Sequence, residues 1–226
     1  MSIPCNRSRP KSALRASHGS RAQHEYARLV ILGASFESEK TISKSDHPSS
    51  EDVIFRPPGK EDGAGILTLV HRLGVLDINS AYAYMLIGEH HAGTSVVAEI
   101  DGELGGFISG YLLPADPETL FVWQVGVAQA GRGKGLATRM LAEILKRPAC
   151  ADVRYLDTTV GPTNEPSQGL FRGLARRLNA RIDETELFSA ELFDAFDEGE
   201  PHDPHEPEIL FRIGPFDADA VSALSS

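Results

Sequence analysis

The sequence contains very little cysteine, with Cys5 and Cys150 as the only two thiols among 226 residues. Two cysteines so far apart do not predict a disulfide framework, and they lack the spacing of a structural zinc site. No apolar run approaches the roughly 20 residues that a helix needs to cross a bilayer. The composition therefore argues against a disulfide-stapled scaffold, a metal site and a membrane protein, and we expect a chain of the reducing cytoplasm.

Basic residues are also scarce, because 22 Lys and Arg stand against 32 Asp and Glu and the net charge is −10. The first 50 residues hold eight of the basic residues and four of the acidic ones, so the remainder carries about −14. A nucleic-acid-binding domain shows the reverse balance, with a basic face that contacts phosphates. We expect no nucleic acid partner, and an acidic surface suits a small cationic substrate.

The chain divides into a polar start, one domain and a short tail. Residues 1–52 are rich in Ser, Arg and His and predict a disordered extension, whereas residues 216–226 predict a frayed tail. Residues 53–215 between them can bury one substantial core, so we expect a single domain. Hydrophobic periodicity there predicts the order β-α-α-β-β-β-α-β-α-β-β, an α/β fold with helices on both faces of a mixed sheet.

A glycine-rich basic loop follows the predicted fourth strand, and an amphipathic helix begins directly after it. Glycines let backbone N–H groups face a ligand and a helix N-terminus adds partial positive charge, so the loop predicts a phosphate site. It is not a P-loop, because Gly133-Lys134 is followed by Gly135 instead of Ser or Thr. It is not a dinucleotide fingerprint, because Leu136 or Thr138 stands where the last glycine or alanine is required.

The stretch from Arg132 to Ala137 reads R-G-K-G-L-A and resembles the R/Q-x-x-G-x-G/A signature of the GNAT superfamily of acyl-CoA-dependent N-acetyltransferases. The resemblance implies that this loop binds the pyrophosphate of acetyl-CoA, which is then the co-substrate. It also implies that a backbone N–H near Val127 faces the acetyl oxygen. The residues of this unit expected at the cofactor are Val125, Val127, Arg132, Gly133, Lys134, Gly135, Leu136 and Ala137.

A second strand-to-helix unit follows, with a predicted strand from Tyr155 to Val160 and a helix that begins at Asn164. In the GNAT family an Asn with a small residue three positions later contacts the pantetheine arm, and Asn164 with Ser167 fits that pattern. Helix capping alone also explains an Asn here. Many members place a Tyr acid where this chain has Phe171, so Phe171 is expected at the cofactor without a proton to donate.

Four further segments resemble a narrower family, the L-2,4-diaminobutyrate acetyltransferases of ectoine biosynthesis. They are G-V-L-D-I-N-S-A-Y at 74–82, G-F-I-S-G-Y at 106–111, T-L-F-V-W-Q-V at 119–125 and H-E-P-E-I-L-F-R-I-G-P at 205–215. The resemblance covers residues 53–214 and implies the GNAT fold. It also implies acetylation of the 4-amino group of L-2,4-diaminobutyrate, which gives the precursor of ectoine, a compatible solute made under osmotic stress.

The resemblance places five residues at the diaminobutyrate pocket, namely Asp77, Tyr82, Trp123, His205 and Glu208. The substrate has two ammonium groups, and Asp77 and Glu208 are the anions expected to hold them. A base must deprotonate one ammonium, and Glu208, His205 and a water held by Asp77 are the candidates. Plainer interpretations stay open, because Asp77 can form a turn and Tyr82 and Trp123 can belong to the core. The acidic run from 183 to 208 is interpreted mostly as a solvated loop.

Two other functions fit the same cofactor loop. One is a GNAT enzyme for another small diamine or amino acid, and the other is a non-catalytic acyl-CoA sensor, in which Asp77 and Glu208 have no role. Exposed strand edges and the habit of the family predict a homodimer. Strand alternation predicts that Trp123 shares a face with Phe121, Val125 and Val127.

Overall fold

The computed structural model describes residues 53–194 and 205–224 of the chain. Seven strands form one mixed sheet in the order β1-β2-β3-β4-β5-β7-β6, in which β4 and β5 are parallel and the other neighbours are antiparallel. The strands are β1 (Val53–Arg56), β2 (Val96–Ile100), β3 (Glu103–Leu113), β4 (Asp116–Val127), β5 (Tyr155–Val160), β6 (Ile182–Phe188) and β7 (Glu208–Ile213). The extension predicted for residues 1–52 lies outside the described residues.

The helices of the described ranges begin and end at residues with clear local signals. They are α1 (Gly63–Leu73), α2 (Ala81–His90), α3 (Leu136–Leu145), α4 (Glu165–Arg177), α5 (Ala190–Asp194) and α6 (Ala218–Ala223). α1 ends at Gly74, whose φ of 63° suits a glycine. Ser80 caps α2, because its side chain accepts a hydrogen bond from the Ala83 N–H. Both boundaries confirm the sequence predictions.

The sheet buries an apolar layer on each of its faces. α3 and α4 cover one face over the larger core, whose buried members include Leu120, Met140, Leu156 and Leu174. α1 and α2 cover the other face over the smaller core, whose buried members include Ile66, Val70, Tyr84 and Phe107. Burying one such side chain stabilises the fold by roughly 1.5–3 kcal/mol. Helices on both faces of a mixed sheet confirm the predicted α/β class.

β2 and β3 form a hairpin whose turn is Asp101-Gly102. The two residues have φ of 52° and 82°, so both adopt the left-handed backbone that a type I′ turn requires. Asp tolerates this conformation and Gly adopts it without strain. The hairpin predicted from this dipeptide is confirmed.

Two regions are more regular than the sequence predicts. The predicted order includes a strand before the last one, but the acidic run from 183 to 208 is interpreted mostly as a solvated loop; β6 begins at Ile182 and α5 follows it. β6 is an edge strand paired with β7, so its acidic side chains can stay exposed without any cost of burial. Fraying is predicted from residue 216, but α6 forms there, because Asp217 caps it and Val221 and Leu224 are buried.

Candidate active site

The parallel strands β4 and β5 part before β4 ends. Their register runs from Thr119↔Tyr155 to Val122↔Thr158, whereas β4 stays paired with β3 as far as Val127. Within the described ranges no strand pairs with β4 beyond Val122 on the β5 side. The space beside the end of β4, called here the β4–β5 gap, therefore offers backbone N–H and C=O groups to a ligand.

A β-bulge at Trp123 marks the point where the strands part. β3 pairs Ser109 with Gln124 and Gly110 with Val122, so Trp123 is an extra residue on β4. Trp123 is 44% exposed, whereas Val122 and Gln124 on either side are buried. Bulges bend the strand that carries them, which accounts for the divergence of β4 from β5.

The bulge also decides which side chains of β4 share a face. Val125 and Val127 pack against the larger core, on the face that α3 and α4 cover. Phe121 lies on the opposite face, because its neighbours Leu120 and Val122 point into the larger core. The prediction that these residues and Trp123 share one face is wrong, because the extra residue shifts the alternation by one position.

The glycine-rich loop leaves the N-terminus of α3 open. Gly133 and Gly135 have φ of 74° and 69°, a backbone conformation in which other side chains are strained. Gly135 is the N-cap residue and no side chain caps α3, so its first N–H groups are available to an anion. Leu136 is 2% exposed and anchors the helix in the core. Arg132 ties the loop to β4 through a 3.3 Å hydrogen bond from Nε to the Val127 carbonyl.

An electropositive hollow of about 360 Å³ adjoins this loop. Its lining consists of Phe55, Lys134, Gly135, Thr138, Arg139, Glu143, Arg177 and Leu224. Three cationic side chains outnumber the single carboxylate, so the hollow attracts anions. The Arg139 guanidinium lies over the Phe55 ring, 4.9 Å from its centroid. Ala137 is half-buried in the first turn of α3 beside it.

Asn164 caps α4, and the capping interpretation of this residue is confirmed. Its Oδ1 accepts a hydrogen bond from the Ser167 N–H at 3.2 Å. The contact of Asn164 and Ser167 with pantetheine stays a prediction. Phe171 packs in the larger core with 2% of its surface exposed, and its place at the cofactor also stays a prediction.

Gln124 ties the loop between α1 and α2 to β4. Its Nε2 donates to the carbonyl oxygen of Asp77 at 2.9 Å, and its Oε1 accepts from the Tyr84 hydroxyl at 3.1 Å. Both bonds are made by a buried amide, where a lost partner is costly. The side chains of Asp77 and Tyr82 are exposed beside this contact. The arrangement places the Asp77 backbone next to the bulge at Trp123.

Glu208 is the first residue of β7 and lies at the end of the sheet where β4 and β5 part. β7 runs antiparallel to β5, and Ile209 pairs with Val160, the last residue of β5. Glu208 therefore lies just past the end of β5, where the β4–β5 gap opens, and it is half-buried. The topology thus brings Glu208 to the same end of the sheet as Trp123 and the Asp77 loop.

The segment before Glu208 is fixed by contacts on both sides. Oε2 of Glu206 accepts a 3.1 Å hydrogen bond from the Thr163 N–H in the turn between β5 and α4. Nδ1 of His205 lies 2.6 Å from the Glu206 carbonyl oxygen. The His205 ring also stacks on Phe193, with centroids 3.8 Å apart and planes 15° from parallel. His205 therefore lies beside the turn that carries the α4 cap.

The sequence reasoning missed Gln124, Glu206 and Phe193. Gln124 had a signal, because it is a polar residue in an apolar strand directly after Trp123. Glu206 and Phe193 lie in an acidic stretch whose periodicity does not distinguish them. Their contacts join segments far apart in the chain, which one sequence does not reveal.

An ion-pair cluster joins the paired halves of β4, β5 and β7. Arg212 donates from Nη1 to Asp157 at 3.2 Å, and from Nη2 to Asp116 at 3.0 Å and to the Thr119 hydroxyl at 3.2 Å. Burial raises the pKa of Asp157 and the charge of Arg212 opposes that rise. Hydrogen bonds from Thr119 and Arg212 lower the pKa of Asp116. The cluster holds these strands together at the end opposite to the gap.

Metal and thiol chemistry find no support in the described part of the chain. No group of three or more His, Cys, Asp or Glu there could hold a metal ion. The one cysteine within it, Cys150, is buried, and burial raises its pKa to about 11, so it is a poor nucleophile. No helix in these ranges has the length and apolar character that a membrane span needs.

Comparison with known proteins places this geometry in a family. Residues 71–175 match the model of the acetyltransferase (GNAT) family. The L-2,4-diaminobutyric acid acetyltransferase of Bordetella parapertussis is 48% identical over 176 residues, which cover 77% of this chain and 91% of that protein. The enzyme of the same name from Marinococcus halophilus is 44% identical over 74% of this chain and 93% of its own length.

A solved structure agrees with these relatives. Diaminobutyrate acetyltransferase EctA from Paenibacillus lautus, in complex with its substrate L-2,4-diaminobutyric acid and coenzyme A, is 41% identical with a TM-score of 0.69. The match covers 74% of this chain and 97% of that one. Identity at this level over nearly the whole length of the relatives shows more than a shared fold. The chain belongs to the L-2,4-diaminobutyric acid acetyltransferase family of the GNAT superfamily.

Proposed function

We propose that this protein transfers the acetyl group of acetyl-CoA to the 4-amino group of L-2,4-diaminobutyrate. The observation that carries the proposal is the β4–β5 gap. It opens at the end of the sheet where β4 leads towards the open N-terminus of α3 and where the Asp77 loop and Glu208 also lie. Family membership supports the same assignment. The product is the precursor of ectoine, so we place the enzyme in the synthesis of a compatible solute under osmotic stress.

Acetyl-CoA fits one side of the gap because each part of it meets a suitable group. The backbone around Gly133 and Gly135 and the open start of α3 suit its pyrophosphate. The free edge of β4 beyond Val122 offers hydrogen bonds to the amides of the pantetheine arm. The hollow beside Arg139 and Arg177 suits the remaining phosphate.

Diaminobutyrate fits the other side of the gap. At neutral pH it carries two ammonium groups and one carboxylate, so its pocket needs anions. Asp77 and Glu208 supply the negative charge, and the exposed ring of Trp123 can receive an ammonium on its face. Tyr82 and His205 add a hydroxyl and an imidazole to the same pocket.

The proposed transfer is direct and needs no acyl-enzyme. A base, His205 or Glu208 or a water held by Asp77, takes a proton from the 4-ammonium group. The neutral nitrogen attacks the thioester carbonyl, the new C–N bond forms, and the C–S bond breaks to release the CoA thiolate, which takes up a proton. A backbone N–H near Val127 stabilises the oxyanion. Holding both substrates in reactive geometry lowers the barrier by roughly 7–11 kcal/mol.

We also propose that the enzyme is a cytoplasmic homodimer. β1 and β6 are the edge strands of the described sheet, and they expose Ile54 and Leu187 at 55% and 43%. Open strand edges with apolar side chains are typical of surfaces that pair with a second copy. Light scattering on the eluting protein should give twice the chain mass of 24.5 kDa. A mass of one chain at micromolar concentration would contradict the dimer.

The decisive experiment is thiol release from acetyl-CoA with L-2,4-diaminobutyrate, L-ornithine, L-lysine and putrescine in parallel, with the acetylated nitrogen identified by NMR. We expect a strong preference for diaminobutyrate and acetylation at N4. Faster thiol release with another amine would retain the cofactor site and reject the substrate. Tight acetyl-CoA binding without any turnover would instead favour a sensor.

A further inference from the structure

The imidazole of His205 is held both at its edge and at its face. Its Nδ1 lies 2.6 Å from the carbonyl oxygen of Glu206. A carbonyl oxygen can only accept a hydrogen bond, so Nδ1 must be the protonated nitrogen. The neutral ring therefore has its lone pair on Nε2, the nitrogen that remains available to a substrate.

The face of the same ring is covered by Phe193. The two rings are nearly parallel, with 15° between their planes and 3.8 Å between their centroids. Phe193 belongs to α5, the short helix between β6 and β7, and it is half-buried. Its neighbour Leu192 is 53% exposed, so the helix directs one apolar side chain onto His205 and the next one outward.

The backbone that carries His205 is anchored to the cofactor side of the site. Glu206 accepts a hydrogen bond from the Thr163 N–H, in the turn just before the α4 cap. The same carboxylate packs against Gly161, where an added Cβ would lie only 2.8 Å from Oε2. The turn after β5 thus has room for Glu206 because position 161 is a glycine.

We infer that Phe193 is a positioning residue for acetyl transfer, because its ring and the Glu206 carbonyl together hold His205 with Nε2 unprotonated and ready to accept a proton from the substrate ammonium. The inference rests on the proposed function. In this step the N–H bond of the ammonium breaks and an N–H bond forms at Nε2. The resulting imidazolium passes the proton to the departing thiolate or to water. If the ring turned over, Nδ1 would leave the Glu206 carbonyl and Cε1 would take the place of Nε2, so no lone pair would face the substrate at that position.

Three variants of α5 separate positioning from simple stability. Phe193→Leu removes the flat ring and keeps an apolar side chain, so we expect kcat to fall about tenfold while the KM for acetyl-CoA changes less than about twofold. Phe193→Tyr keeps the stack and should restore most of kcat. Leu192→Ala is the matched control on the exposed side of α5 and should leave kcat unchanged. Circular dichroism melting checks that each variant is folded.

A spectroscopic measurement tests the ring directly. Two-bond ¹H–¹⁵N correlation spectra of the full-length protein report which nitrogen of each histidine carries the proton, and the signal lost in His205→Gln identifies His205. We expect the wild type to show protonated Nδ1 and unprotonated Nε2, and Phe193→Leu to show a mixture. A wild type with protonated Nε2, or a Phe193→Leu variant with the kcat of Leu192→Ala, would overturn the inference.

The two proposals fail in different ways. A wild-type protein that does not acetylate diaminobutyrate rejects the proposed function, whereas the NMR spectra report the His205 tautomer without any turnover. Wild-type activity with diaminobutyrate, combined with equal kcat in all three α5 variants, keeps the function and rejects the role of Phe193.

Discussion

The buried side-chain amide of Gln124 donates a 2.9 Å hydrogen bond to the backbone carbonyl of Asp77 and thereby joins β4 to the loop between α1 and α2. The strand that borders the β4–β5 gap and the loop that carries Asp77 are thus held together by one side chain. Tyr84 completes the contact by donating its hydroxyl to the Gln124 oxygen. The position of Asp77 therefore depends on a residue that does not itself reach the solvent.

Replacing Gln124 should weaken the binding of diaminobutyrate, the acetyl acceptor, and leave the binding of acetyl-CoA nearly unchanged. Gln124→Met keeps the volume but leaves the Tyr84 hydroxyl and the Asp77 carbonyl without their partner. We therefore expect the free energy of unfolding to fall by about 1–3 kcal/mol. The KM for diaminobutyrate should rise about tenfold, with the KM for acetyl-CoA nearly unchanged. Tyr84→Phe keeps the bond to Asp77 and serves as the control in steady-state assays and urea titrations. An equal rise in KM for both variants would disprove the role assigned to the Asp77 contact.

Gly135→Ala should instead weaken the binding of the cofactor. Its φ of 69° lies in the left-handed region, where a Cβ costs roughly 1–2 kcal/mol, so the loop should relax away from its anion-binding geometry. We expect calorimetry to show about tenfold weaker binding of coenzyme A. Gly169→Ala is the matched control, because Gly169 lies within α4 with open space around it and should gain roughly 0.5–1 kcal/mol of stability. Unchanged affinity in Gly135→Ala would show that the loop geometry is not needed.

The buried carboxyl of Asp157 should give stability an unusual dependence on pH. Burial raises its pKa above the unfolded value, so protonation favours the folded state. The contribution of Asp157 is therefore fully present below the unfolded pKa and is lost as pH rises through the folded pKa. Asp157→Asn removes this titration, so the unfolding free energy of the wild type relative to the variant should increase as pH falls from 7 to 4. A relative decrease over that window, measured in urea, would mean that Arg212 outweighs burial.

Cys150 should be inert to thiol reagents while the protein is folded. Burial raises its pKa to about 11, so almost no thiolate exists at pH 8. In a Cys5→Ser variant, which leaves Cys150 as the only thiol, Ellman's reagent should react only after denaturation. Rapid reaction of the native variant would contradict the burial. The expected result also means that the thiol-release assay has little background from this residue.

Local features of the fold were predictable, because short stretches of sequence decide them. The turn at Asp101-Gly102, the Ser80 cap and the open glycine loop before Leu136 each depend on the conformational preferences of a few adjacent residues. The pocket residues are predicted only through the similarity of longer segments, and their roles stay a prediction. The Asp77 backbone is bonded to Gln124 and Glu208 begins β7 just past the end of β5, but the contact of both residues with the substrate stays a prediction.

The features that the sequence did not predict depend on contacts between distant segments. The predicted order contains a sixth strand but does not locate it, because β6 is an acidic edge strand whose exposed side chains give the pattern of a loop. Phe193 and Glu206 acquire their roles only when α5 and the turn before α4 come together around His205. The bulge at Trp123 depends on how β3 pairs with β4, and alternation along one strand does not show it.

The extra residue at position 123 shifts the alternation of side chains in the rest of β4 by one position. If Trp123 were instead paired as a regular strand residue, every later side chain of β4 would change sides, so that Gln124 would point into the larger core and Val125 would face the α1–α2 loop. The number of residues at this point is therefore as informative as their identity.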